Sequence, residues 1–178
     1  MEIKNKLAYE IIKKSESKEW KEAVKEWEVD ASYRTSEVRA TCICGKEKIK
    51  NKYKLVNKNN GKYIYPVSKK CIKRLGRDEL NREVNIIEEM KRLEESVAEG
   101  EYLCIESGKL SKKLIDQLYK EGAFKGNKHN KFSGKNDYEF VVKMINKRNK
   151  NSISEQEEKK LKAIMMEIKK YIKEKKQG

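Results

Sequence analysis

The stretch Cys42-Ile43-Cys44-Gly45 sets two thiols one residue apart against a glycine, and a third thiol follows at Cys71. Thiolates bind Zn2+ tetrahedrally, and structural sites use four protein ligands. Paired cysteines in such sites are commonly spaced by about two to four residues, so Cys-x-Cys-Gly is a compressed variant. Gly45 frees the backbone to turn beneath an ion. Cys71 is expected at the start of a short helical turn, where amide dipoles favour a thiolate. A knuckle, a hairpin and then a helix-borne ligand is the order of a treble-clef-like or zinc-ribbon site. Cys42, Cys44 and Cys71 are thus candidate ligands of a structural Zn2+. Cys104 is the leading candidate for the fourth and His129 the runner-up, with a carboxylate or water closing the site otherwise. The setting Leu103-Cys104-Ile105 also suits a small buried hydrophobe.

Bulk composition favours a metal over disulfides. The chain has 178 residues, 37% hydrophobic and 41% charged, so its core is thin and a staple would help it fold. The N-terminal run MEIKNKLAYEIIKK is amphipathic, without the apolar stretch of a signal peptide. No segment approaches the roughly 20 apolar residues of a membrane span. A cytoplasmic chain in a reducing compartment is expected, where four cysteines mean metal or free thiols. Net charge is +15, from 44 Lys and Arg against 29 Asp and Glu. That is the footprint of a nucleic-acid partner. It is equally the composition of an AT-rich genome, with lysines spread over solvated helix faces.

The surrounding elements must hold these thiols. Ile3, Leu7, Ile11 and Ile12 recur at helical spacing over residues 2–14. Trp20, Val24 and Trp27 fall on one stripe of an expected second helix, with the tryptophans as core. Residues 39–45 read as a strand entering a tight turn. Ile49, Tyr53 and Leu55 alternate with Lys48, Lys50, Lys52 and Lys54, the period of a half-buried strand with an outward lysine row. Asn60-Gly61 is a strong hairpin signal. The return strand, Lys62 to Val67, is expected to set Tyr63, Tyr65 and Val67 on one face, with Pro66 tolerated at an edge or bulge. A short helical turn at Ile72–Leu75 ends at Gly76. Helices follow over 77–99, from Leu110 to Gly122, over 137–147 and from a Ser154–Glu157 capping box onward. Residues 125–135, lysine-rich with two glycines, read as a mobile loop. The expectation is a mainly helical α+β protein: an N-terminal helical pair (1–35), a zinc-binding β-hairpin module (36–76) and a C-terminal helical bundle (77–178).

Lys48, Lys50, Lys52 and Lys54 would neutralise phosphates, with Tyr53, Tyr63 and Tyr65 nearby to stack on bases of a single strand. Arg39, Lys69, Lys70, Lys73 and Arg74 would extend that patch around the knuckle. Classical catalysis has no support. The chain lacks a G-x-x-x-x-G-K-[ST] loop, no Ser/His/Asp set stands out, and it has one histidine. Only an open metal position would offer a route to hydrolysis.

Cys42-x-Cys44-Gly45, Asn57-x-x-Asn60-Gly61 and Val67-x-x-x-Cys71-Ile72-Lys73-x-Leu75-Gly76-Arg77 resemble small Cys-x-Cys-Gly proteins of phages and mobile elements in low-GC bacteria. The later runs Leu110–Leu114, Tyr119, Gly122–Phe124 and Asn146–Arg148 are similar in style, so about two thirds of the chain is covered. Where those proteins often have a glycine before the helix of the third cysteine, this chain has Ser68. The resemblance implies a zinc-ribbon-like module with helical decoration, acting in the cytoplasm of a host bacterium. It also brings in metal-binding anti-CRISPR inhibitors, whose partner would be a CRISPR effector or another nucleic-acid-bearing complex.

Overall fold

The computed structural model describes residues 6–34, 40–105, 108–147 and 152–177. The chain forms two compact units, Met1–Asn85 and Ile86–Gly178. The α+β class expected from the sequence is what is found: helices with one three-stranded antiparallel sheet in the order β1-β2-β3.

In the first unit, helix α1 (Lys6–Lys14) buries Leu7 and Ile11, one turn apart on one face. Ile3 lies outside the described residues. The expected second helix is only one turn, α2 (Trp20–Ala23), with a 3-10 turn at Val24–Glu26. Strand β1 (Trp27–Arg34) then begins. It pairs with β2 (Asn51–Asn57) from Trp27 opposite Asn57 to Arg34 opposite Asn51. That ladder outweighs a stripe of three apolar residues, because helix propensity is a weak prior against tertiary pairing. Trp27 is nevertheless core, as read from the sequence; it is fully buried, and its Nε1 donates to Ser15 Oγ at 2.8 Å. Glu26 is a buried anchor beside it. Its carboxylate accepts from the N–H groups of Glu16 (2.9 Å) and Ser17 (2.8 Å) and from Asn57 Nδ2 (2.6 Å).

The hairpin turns at Asn60-Gly61, where Gly61 takes a φ of +70°. On β2, Tyr53, Leu55 and Asn57 point into the core while Lys52 and Lys54 stay partly exposed. Strand β3 (Tyr63–Val67) departs from simple alternation: Ile64 and Val67 are buried, and Tyr63 and Tyr65 are exposed. Leu55 pairs with Ile64, and Tyr53 with Val67. Two residues of β3 therefore oppose one of β2, and this bulge reverses the face on which the next side chain falls. Pro66, in a cis peptide, sits in the bulge of this edge strand. The strand expected over 39–45 is absent from its described part, residues 40–45, which instead wrap a tight turn. Helix α3 (Lys69–Lys73) is short and is followed by Gly76 at φ +71°, as expected. Helix α4 (Asp78–Ala98) contributes buried Leu80 and Val84 to this unit.

The second unit packs the rest of α4 with α5 (Lys112–Lys120), α6 (Gly134–Asn146) and α7 (Glu155–Gln177) around Leu93, Leu114, Leu118, Val141, Met144 and Ile168. The capping box at the start of α7 is formed: Ser154 N–H donates to Glu157 Oε2 at 3.0 Å and Glu157 N–H to Ser154 Oγ at 3.3 Å.

Residues 125–135 are not a loose loop. Asn130, 2% exposed, accepts at Oδ1 from the N–H groups of Asn127 (2.7 Å) and Ser133 (3.1 Å). Its Nδ2 donates to Lys125 O at 2.9 Å and to Asp137 Oδ2 at 2.7 Å. The limbs of the loop touch backbone to backbone. A Cβ on Gly126 would lie 2.5 Å from Phe132 O, and one on Gly134 would lie 2.0 Å from Phe124 O. Within this frame Lys131 and Phe132 both take a φ of +57°. For non-glycine residues that conformation costs about 1–3 kcal/mol each and persists only where the surroundings impose it.

Candidate metal centre

The turn Cys42–Gly45 is built by two short backbone bonds: Gly45 N–H donates to Cys42 O at 2.8 Å, and Cys42 N–H to Lys46 O at 2.8 Å. Gly45 takes a φ of +87°, which a side chain would strain. Ile43 N–H donates to Pro66 O at 2.9 Å, fastening the turn to the end of β3. Cys71 enters from α3. There Ser68 caps the helix, its Oγ accepting from Cys71 N–H at 3.4 Å, while its own N–H donates to Cys42 Sγ at 3.2 Å. Ser68 thus links the two halves of the site.

The sulfurs of Cys42, Cys44 and Cys71 all lie within 4.8 Å of one another. Cys42 Sγ and Cys71 Sγ are 3.5 Å apart, and all four cysteines are free thiols. Sulfurs bound tetrahedrally at about 2.3 Å from one ion stand about 3.8 Å apart. Three sulfurs gathered this closely could hold a metal ion. Cys42 and Cys71 are buried and Cys44 is half-buried.

Electrostatics show what an ion would relieve. Burial pushes the Cys71 thiol up to about 12; the neighbouring Cys44 and Cys42 act in the same direction, against a hydrogen bond with Ser68. The helix start was expected to favour a thiolate there, and desolvation reverses that. Burial also works against a Cys42 thiolate, but hydrogen bonds with Cys44 and Ser68 outweigh it and leave this thiol below its ordinary range. Three sulfurs this close ionise together only beside a compensating cation.

Cys44 and Cys71 open onto a cleft of about 390 Å³, also lined by Gly45, Lys46, Ser68, Lys70 and Arg74. No carboxylate lines it. Lys69 and Lys73 are exposed on α3. Lys48 and Lys50 are exposed but precede β2, and only Lys52 and Lys54 of the expected row stand on the sheet. Asp30 binds Lys54 Nζ at 2.8 Å, and that hydrogen bond holds the ammonium above its ordinary value. Arg39 lies outside the described residues.

Cys104 is in the second unit, half-buried between buried Leu103 and Ile105, and is not one of the three clustered sulfurs. His129, also in the second unit, is exposed on the loop after α5.

Tyr53 is buried and belongs to the core. The outer sheet face instead carries Tyr63, Tyr65 and a residue that sequence reasoning missed, Tyr33, which are 57%, 40% and 49% exposed. Tyr33 meets Tyr65 edge-on at 5.6 Å, and Lys54 Nζ lies 5.1 Å from the Tyr63 ring centre. No local signal places Tyr33 there: alternation would set it on the face of Val29, which pairs with buried Leu55, and the register shift between Val29 and Ala31 turns it outward, opposite Lys52. Among the described residues no helix is long and apolar enough to cross a membrane. Compared with protein-family models, curated proteins and solved structures, the chain finds no match.

Proposed function

We propose that the protein is a basic, non-enzymatic nucleic-acid-binding module whose sulfur cluster holds a structural Zn2+. The reading rests on one observation: exposed Tyr33, Tyr63 and Tyr65 share the outer sheet face with Lys52 and Lys54. Aromatic rings offer stacking platforms to unpaired bases, and interleaved cations meet the phosphates. The carboxylate-free cleft at the cysteines, with Lys46, Lys70 and Arg74, extends positive charge beside that sheet. Zinc suits an all-sulfur site and needs no redox chemistry. Bound there, it would lock the knuckle and α3 against the hairpin in a treble-clef-like arrangement. The order of the motif and its phage-protein resemblance agree with this placement.

The test is binding of labelled single-stranded oligonucleotides by fluorescence anisotropy across a salt series. Affinity is expected to fall steeply with salt, with a log–log slope of about −0.7 per phosphate neutralised. Tyr63→Ala and Tyr65→Ala are each expected to weaken binding several-fold or more. Oligonucleotide binding that ignores salt, or no binding, overturns the proposal. A host protein captured equally well at high salt would favour the other reading, an inhibitor that docks on a defence effector directly.

A further inference from the structure

We infer that the loop between α5 and α6 is a second nucleic-acid contact, in which Phe132 stacks on one unpaired base while Lys128 and Lys131 hold the flanking phosphates. This rests on the nucleic-acid reading above but places a site in the other unit, on residues that reading does not use. Phe132 is 79% exposed, the most exposed large apolar side chain among the described residues. It is not exposed by slackness. The Asn127–Asn130 hydrogen-bond frame and the backbone packing at Gly126 and Gly134 impose its left-handed conformation. A chain that keeps an aromatic ring in strained backbone and in water has aimed it outward in advance, which lowers the ordering cost of binding.

Charge identifies the occupant. Residues 125–135 contain four lysines and no acidic residue. Lys125 and Lys135 are paired with Glu174 (3.5 Å) and Glu139 (3.6 Å). Lys128 and Lys131, exposed beside Phe132, have no ion pair among the described residues. Asp137, the carboxylate bound by Asn130 in this frame, also faces Lys160 Nζ at 3.6 Å. A protein hot spot needs an apolar surround that excludes water. Phe132 instead stands 79% exposed with Lys131 and Ser133 as chain neighbours, in a segment without acidic residues, which suits a base stacked between phosphates.

The experiment uses the full chain and a fluorescent 12-mer of mixed single-stranded sequence. Phe132→Ala is expected to raise Kd about 5- to 150-fold, the range for loss of one stacked base. Phe132→Tyr is expected to restore binding. Lys128→Gln with Lys131→Gln should flatten the log–log salt slope by about 1.4. Phe132 is exposed, so circular dichroism should show unchanged folding. Wild-type affinity in Phe132→Ala, while Tyr63→Ala weakens binding, overturns the loop site and leaves the sheet reading standing. Absence of oligonucleotide binding by the wild type overturns both. Phe132-dependent binding to phosphatidylserine vesicles, with oligonucleotide affinity unmoved, would reassign the loop to a lipid surface.

Discussion

Replacing Cys42 or Cys71 with serine tests the metal centre most directly. The three sulfurs lie within 4.8 Å, and the Cys71 thiol is pushed up to about 12 without an ion. A bound cation is therefore the condition under which all three ionise, and its binding energy becomes folding energy. An ion present at about 100–1,000 times its Kd stabilises the native state by about 2.7–4.1 kcal/mol. The unit that holds the site spans Met1–Asn85. For a domain of that size each kcal/mol moves Tm by about 4–8 °C, so metal removal should lower its transition by about 10–30 °C. The assay is scanning calorimetry with and without chelator, alongside elemental analysis of metal per chain. Cys42→Ser and Cys71→Ser should each lose the metal and melt near the chelated wild type. Cys104→Ser should keep its metal, since three sulfurs of one unit converge without it. Affinity should drop as pH falls, because protons and the ion compete for the same sulfurs. A chelator that leaves Tm unchanged, or full metal content in both serine variants, refutes the reasoning.

Glu26→Gln should cost about 2–3 kcal/mol in urea unfolding, since charge-assisted hydrogen bonds are replaced by a poorer acceptor facing three donors. Burial alone would raise the Glu26 pKa, but hydrogen bonds from Ser17, Asn57 and Glu16 hold it below its ordinary 4.5. Its contribution is therefore complete above that value and fades as pH falls through the lower folded value; the acid limb of the stability profile should flatten in Glu26→Gln. Arg77→Met should cost about 2 kcal/mol by the same measurement, because Nη1 donates to Val24 O at 3.1 Å and Trp27 O at 2.6 Å. Gly134→Ala should destabilise the second unit by about 3 kcal/mol, its Cβ being forced within 2.0 Å of Phe124 O; an unchanged unfolding midpoint would contradict the close approach.

Local patterns that need no distant partner were legible from residue types alone. The hairpin at Asn60-Gly61, the capping box at Ser154, the helical periods of α4, α5 and α7 and the trio Cys42, Cys44 and Cys71 all follow from short-range stereochemistry and ligand chemistry. Tertiary contacts decided the rest. The 27–34 segment became a strand because β2 offered it a ladder, and a one-residue bulge in β3 moved Tyr63 and Tyr65 to the outer face. Neither a partner strand nor a register shift is written in local periodicity. The 125–135 loop has the polar composition of a mobile segment, yet buried Asn130 and two glycines that allow backbone contact make it ordered. Composition counts polar groups; only the folded chain determines whether they bond to water or to one another.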